Sequence, residues 1–327
     1  MSNITMLDIL PMRADWLREA LVLGFVSLGS DERKSRSEML LQQFAAGKIS
    51  LEGIFAAKYD GKIVGVIFSQ KRDDETILIW PPGTVWEITE SGGVEPELAK
   101  IVRFALWDRM NEYIERNRIP IAIVFVEKIE NVDESELENA GFNYLSKLQY
   151  LVAGESTFPM YVGRNSVEFV PFANESDPAA IDPVRFYEMV SLVDRTYVET
   201  RDFPLLSGIS PTAEILHGYQ YVGSFRPDLW FFVQIEGKNV GVLILTEQDD
   251  GIQLELTYMG LVPESRGKRL SGQIVQYTLW KARQMGRRMV VVSVDAQNES
   301  AVKAYKRNGF QSWDDKYLYV RIKEQGT

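Results

Sequence analysis

Apolar and polar positions alternate in short runs along much of this chain of 327 residues, and longer amphipathic stretches fall between them. In the second half this patterning predicts a strand over residues 167–171, helical segments over 182–198, and strands over 229–235, 240–246 and 253–262. A helix over 271–285, a strand over 289–295, a helix over 299–308 and a strand over 316–322 complete the series. The first half reads in similar order, with a hairpin, a strand over 76–80, a long helix over 95–116 and a strand over 121–127. Helices interleaved with strands in both halves predict a mixed α/β fold.

The two halves also echo each other. In AAKYDGKIVGVIFS from Ala56 and FVQIEGKNVGVLIL from Phe232, an apolar run meets an acidic residue, then Gly-Lys, two more residues, a glycine and a second β-rich run. Both predict a hairpin turning at Asp60-Gly61 and at Glu236-Gly237. A second echo follows at nearly the same offset. Asn139-Ala140-Gly141-Phe142 precedes KLQYLVA, Arg307-Asn308-Gly309-Phe310 precedes KYLYVRI, and each reads as a helix closed by glycine and then a strand. Two matches in one order predict a duplicated domain. The join is expected between Ala153 and Ser166, where Gly, Ser, Thr and Pro interrupt the periodicity, giving domains over residues 1–155 and 156–327.

Composition narrows the chemistry. The absence of cysteine removes disulfides, thiolate metal sites and a cysteine acyl-enzyme. His217 is the only histidine, so histidine metal clusters and Ser-His-Asp hydrolysis lack material, and a local structural role is expected for it. A net charge of -10 argues against nucleic acid or an anionic membrane as partner and suits a cationic amine. With no signal-like start and no apolar run near membrane-spanning length, a soluble, cytoplasmic protein is expected, of open oligomeric state.

Chemistry concentrates in LELTYMGLVPESRGKRLSGQIVQYTLWKARQMG, where a β-rich run ends at Val262-Pro263 and a short Arg/Gly loop feeds a helix. The unpaired amides of a helix start make a natural cradle for phosphate. Arg266, Lys268, Arg269, Lys281, Arg283, Arg287 and Arg288 lie here with no acidic neighbour between the first and the last. They read as an anion site or as a solvated basic face.

This segment resembles the GNAT superfamily of N-acetyltransferases, whose members carry Arg/Gln-x-x-Gly-x-Gly/Ala after the fourth strand. The matching residues are Arg266, Gly267, Lys268, Arg269, Leu270 and Ser271, followed by Gly272; Arg269 and Ser271 stand where the superfamily usually has glycine. A second matching block runs from Asp295 through Asn298, Ala301 and Tyr305 to Gly309-Phe310. The resemblance implies two tandem domains, each with a mostly antiparallel twisted sheet and helices on both faces. The layout is similar to that of mycothiol synthases, two-domain members of the superfamily. It further implies acetyl-CoA as co-substrate, no metal, and direct acetyl transfer to the primary amine of a small molecule. Backbone of Gly260, Leu261 and Val262 would hold the thioester and pantetheine, the loop amides the pyrophosphate, and Asn298 and Ala301 the pantetheine arm.

Tyr305 would protonate the departing thiolate, or merely pack its helix on the sheet. Glu255, in an apolar strand five residues before Gly260, is the candidate base, unless its face is solvated. In TYVETRDFPLLSG, the residues Tyr197, Glu199, Arg201 and Asp202 are candidates for the acceptor side. The first half has no Arg-rich glycine loop, and Leu137 stands where the second half has Tyr305, so a degenerate domain is expected there. Ser91-Gly92-Gly93 is its one weak phosphate candidate. The competing reading is a non-catalytic acyl-CoA-binding protein on the same duplicated fold.

Overall fold

A computed structural model describes residues 7–25, 30–47, 49–72, 76–87, 96–127, 133–163, 166–173, 182–202, 211–248 and 250–323. The chain divides into two compact units, residues 1–145 with 317–327, and residues 146–316. The sequence-read boundary at 155/156 therefore falls inside the second unit. The reason lies in two strands, described below, that each pair outside their own half.

Along the first half run β1 (Leu7–Pro11), α1 (Leu17–Gly24), α2 (Ser30–Ala45), β2 (Phe55–Tyr59), β3 (Lys62–Lys71), β4 (Thr76–Thr84), α3 (Pro96–Arg116), β5 (Ile121–Val126), α4 (Glu134–Asn139) and β6 (Asn143–Gly154). The second half continues with β7 (Glu168–Pro171), α5 (Pro183–Tyr197), α6 (Thr212–Tyr219), β8 (Trp230–Ile235), β9 (Lys238–Glu247), β10 (Gln253–Leu261), α7 (Leu270–Gln284), β11 (Met289–Asp295), α8 (Glu299–Arg307) and β12 (Gln311–Ile322).

The sheet of the first unit runs β1-β2-β3-β4-β5, antiparallel except for the parallel β4–β5 pair, and closes with Tyr317 to Ile322 of β12 against β5. The second unit repeats this as β7-β8-β9-β10-β11, with β10–β11 parallel and Leu148 to Gly154 of β6 against β11. Each half thus gives its last strand to the unit built on the other half. The duplicated hairpins turn as expected, with Asp60-Gly61 and Glu236-Gly237 both at positive φ in each pair. Gly141 and Gly309 close α4 and α8 with positive φ.

In the first unit, strand alternation sends Val66 and Phe68 to a core with Ala20 and Leu21 of α1, and Ile67 to a core with Val102, Leu106, Trp107 and Met110 of α3. Those α3 positions form one helical stripe. Trp107 is almost fully buried and its Nε1 donates to Glu136 Oε1 at 2.7 Å. Leu137 is buried in the same core. In the second unit, Leu270, Ile274, Val275, Leu279 and Ala282 of α7 pack against Leu254, Leu256, Val290 and Val292. Phe186, Met189, Leu192 and Val193 of α5 pack against Trp230, Phe232, Val242 and Ile244 on the opposite face.

Several elements depart from the sequence reading. β4 continues through Pro81 and Pro82 to Thr84, and β12 begins at Gln311. The prolines are accommodated where the β3–β4 register shifts between Val66 and Phe68, which spares a donor at that point of the ladder. The helices α1, α2 and α6 were not anticipated; α1 and α6 span only eight residues each, about two turns of periodicity. His217 lies on α6 with its ring 4.7 Å from that of Phe186, a packing role. Ser91-Gly92-Gly93 lies outside the described residues.

Candidate active site

The site begins where two parallel strands part. β10 pairs with β11 only over Gln253–Met289, Leu254–Val290 and Glu255–Val291, whereas its pairing with β9 continues to Leu261. A bulge between Leu256 and Tyr258 turns β10 at this point. Beyond it, β10 presents an unpaired backbone edge toward β11. A cavity of about 680 Å³ opens there, bounded by residues 256–261 of β10, Val292 to Val294 of β11, the end of α5, the loop into α7 and the first turns of α8. Gly260 and Leu261 line it; Val262 does not, being buried with its amide donating to Val240 O at 3.0 Å.

Gly260 is required for close approach rather than for a special φ. A β-carbon there would stand 2.6 Å from both Thr196 Oγ1 and Tyr258 Oη. Those two hydroxyls are hydrogen-bonded, and because Thr196 donates its only proton to Val193 O at 2.7 Å, Tyr258 is the donor. Gly260→Ala must wedge this pair apart. The expected result is a loss of about 1–3 kcal/mol of stability, read from the midpoint of chemical denaturation; an unchanged midpoint would show that the pair yields freely.

The loop into α7 follows the glycine-poor sequence in an unexpected way. Gly267 has φ +75° and Arg269, in place of a glycine, itself takes the left-handed region at φ +60°, a conformation that costs a non-glycine residue roughly 1 kcal/mol. The amides of Gly267 to Leu270 make no hydrogen bond among the described residues, and Lys268 and Arg269 are exposed beside them. Gly267 and Ser271 line the cavity, and Gly272 sits in the first turn of α7.

The basic run divides by role. Arg266 turns inward and gives its guanidinium to three backbone carbonyls: Nε to Leu261 O at 3.1 Å, Nη1 to Glu199 O at 3.1 Å and Nη2 to Thr196 O at 2.9 Å. It ties the end of α5 to the end of β10. Arg283 donates to Phe158 O at 3.2 Å, and Arg287 to Glu247 and Gly251 O. The sequence shows the charge of these three side chains but not the carbonyls, and for Arg287 the Glu247 carboxylate, that take it up.

Asn298, at the start of α8, and Ala301 and Tyr305 along it line the cavity. Asn298 caps the helix, its Oδ1 accepting from Ala301 N at 3.3 Å and from Ser300 Oγ at 3.0 Å. Tyr305 is 4% exposed, packs its ring 5.5 Å from Phe310, and lines the cavity together with Ala301. Its hydroxyl has no partner among the described residues. Desolvation, and then the charge of Asp202, raise its pKa, so it is a neutral donor.

Glu255 lies elsewhere. It is half-buried on β10 before the strands part, accepts a hydrogen bond from Gln248 Nε2 at 2.6 Å, and is absent from the cavity wall. Desolvation raises its pKa and the Gln248 bond opposes the rise.

Tyr197, Glu199, Arg201 and Asp202, from the loop after α5, all line the cavity; residues 203–208 of the predicted acceptor segment lie outside the described residues. Glu199 holds φ +52° at the helix end, where its carbonyl meets Arg266. Asp202 is exposed on the open side, with protein packed around its other sides, and its Oδ1 accepts from Asp295 N at 3.3 Å. Tyr258, not anticipated as a site residue, stacks edge-on to Tyr197 at 5.9 Å.

Residues 196–310 match the acetyltransferase (GNAT) family profile. No curated protein sequence matches the chain. Among solved structures it is similar to a GCN5-related N-acetyltransferase from Sphaerobacter thermophilus, at TM-score 0.65 and 15% identity, covering 97% of this chain and 95% of that one. A tandem GNAT protein from the clavulanic acid biosynthesis pathway aligns at TM-score 0.53 and 10% identity over 98% and 100%. The glucosamine N-acetyltransferase region of a fungal multi-domain GH3 β-N-acetylglucosaminidase aligns at TM-score 0.60 and 12% identity over 97% of this chain and 38% of that one. These likenesses show the fold alone, while residues 196–310, which hold the parted strands and the loop into α7, match the GNAT family of acetyltransferases.

Proposed function

We propose that the second unit transfers an acetyl group from acetyl-CoA directly to the primary amine of a small molecule. The observation that carries this reading is the parting of β10 from β11 beyond Glu255 and Val291, over a cavity that Tyr305 lines. The unpaired β10 edge from Thr257 to Leu261 offers strand-like hydrogen bonds to an amide-bearing arm. The uncommitted amides of Gly267 to Leu270 at the α7 start, flanked by Lys268 and Arg269, suit a pyrophosphate. Bound acetyl-CoA supplies an acyl group on a thiol leaving group. Tyr305 donates a hydrogen bond toward the sulfur as charge grows there, and positioning in the cavity supplies much of the rest. The chain has no cysteine to carry the acetyl group, so transfer is direct.

In this reading the first unit binds no CoA, because Leu137 replaces the tyrosine and the half lacks the Arg-rich loop. A cytoplasmic setting fits the substrate; no helix among the described residues is long and apolar enough to cross a membrane.

Calorimetric titration of acetyl-CoA tests the reading. One site per chain is expected, weakened about tenfold by the double substitution Lys268→Ala with Arg269→Ala, the effect of losing charge-assisted phosphate contacts at an exposed loop. A second site would assign CoA binding to the first unit as well. Absence of heat, with no protection against thermal unfolding, would remove acetyl-CoA as substrate.

A further inference from the structure

Asp202 is the carboxylate that the cavity itself presents. It follows the end of α5, whose last carbonyls are gripped by Arg266, so the loop bearing it is fixed to the strand that bears Gly260 and Leu261. Its Oδ1 accepts from the backbone N–H of Asp295, the last residue of β11, and Asn298 lines the same cavity. The carboxylate is close enough to Tyr305, Tyr197 and Tyr258 for its charge to raise the pKa of each. It lines the same cavity as Tyr305, Tyr197 and Tyr258.

We infer that Asp202, rather than Glu255, anchors the acceptor as an ammonium against the Tyr197 ring and receives its proton, which makes the acceptor a primary amine that arrives charged. This rests on the acetyl-transfer reading. A carboxylate beside an aromatic face is the pairing that recognises an alkylammonium. The ammonium gives one proton to the Asp202 carboxylate, which later releases it to water. The freed nitrogen lone pair forms the C–N bond at the thioester carbonyl, and the tetrahedral adduct collapses with cleavage of C–S. The second nitrogen proton passes to sulfur by way of the Tyr305 hydroxyl, which gives its proton to the thiolate and regains one from nitrogen. The products are the acetamide, a free thiol and one proton in solution.

The groups facing Asp202 bear on its titration: Asp295 on β11, Asn298 and Tyr305 on α8, Tyr197 on α5, Tyr258 on β10, with Arg266 acting on Tyr258 and Arg201, its neighbour, acting on Glu299. Desolvation first, and then Asp295, raise the Asp202 pKa to about 6, against the hydrogen bond from Asp295 N and the Asn298 side chain. A base with that pKa is ionised at neutral pH and still able to take a proton from a bound ammonium. The native state binds this proton more tightly than the unfolded chain, so the carboxyl's contribution is most favourable at low pH and is lost as pH rises through about 6. Asp202→Asn removes that penalty and is expected to be no less heat-stable than wild type at pH 7.

Three primary amines, butylamine, tyramine and spermidine, serve as probes with acetyl-CoA, thiol release being followed from pH 5 to 9 for wild type, Asp202→Asn and Glu255→Gln. Wild type is expected to acetylate at least one, with kcat/KM rising through an acidic limb near pH 6. Asp202→Asn should lose the limb and about 100-fold in kcat/KM, while binding acetyl-CoA as wild type does; Glu255→Gln should keep both limb and rate. Loss of the limb in Glu255→Gln, its retention in Asp202→Asn, or failure of all three amines with acetyl-CoA binding intact overturns the inference. Failure to bind acetyl-CoA at all strikes the proposed function instead, and calorimetry separates the two.

Discussion

Tyr305→Phe is expected to lower kcat about 100-fold while leaving acetyl-CoA affinity within about twofold, because the lost interaction grows only as the C–S bond breaks. The substitution is conservative in packing. The ring lies against Phe310 within the core shared by α7, α8 and the sheet, and phenylalanine keeps that contact. Nothing among the described residues bonds the hydroxyl, so its removal orphans no partner. A tyrosine that served only to pack α8 would therefore be replaced by phenylalanine at almost no cost to either stability or rate. The burial and the nearby Asp202 charge that raise its pKa keep it protonated throughout the working range, so no alkaline limb of the pH profile should belong to it. Stopped-flow thiol release together with calorimetry separates the outcomes: unchanged kcat assigns Tyr305 to packing, and a loss of affinity matching the loss of rate assigns it to ground-state binding.

Much of this arrangement is legible in the sequence because local rules fix it. The turns at Asp60-Gly61 and Glu236-Gly237 need positive φ, glycine supplies half of it, and the repeated pattern around them gives away the duplication. Asn298 sits one residue before a helical stripe and caps it. The exchange of last strands is not legible, since alternation in β6 and β12 tells which faces are buried and not which neighbour is paired. Glu255 shows the same limit. Its place in an apolar strand is plain, but only the register, with β11 pairing ending at that residue, shows that the cavity opens further along. Asp202 was one acid among several in a polar loop until the fold brought it to Asp295 and Asn298, each more than ninety residues away in the chain.

Arg266→Ala should cost stability and catalytic efficiency together, and acetyl-CoA affinity much less. The superfamily motif invites a phosphate contact for this arginine, yet its guanidinium is occupied by the carbonyls of Leu261, Thr196 and Glu199. Each carbonyl is left without this donor by the truncation, and hydrogen bonds to a charged group contribute about 1.5–3 kcal/mol when shielded. The side chain is only half-buried, water replaces part of what is lost, and a net loss of about 2 kcal/mol is expected. Lysine cannot restore it, because one ammonium lacks the planar fork that reaches three acceptors. The functional loss follows from geometry: Arg266 holds the helix end from which Asp202 projects, and a shift of about 1 Å in a positioned group costs on the order of 100-fold in rate. Thermal unfolding, acetyl-CoA calorimetry and kcat/KM for the amine that wild type accepts give three independent readouts. A fall in the first and third with the second nearly unchanged identifies Arg266 as a positioning residue, whereas a collapse of acetyl-CoA affinity at unchanged stability would return it to the pyrophosphate and leave the loop after α5 to hold itself in place.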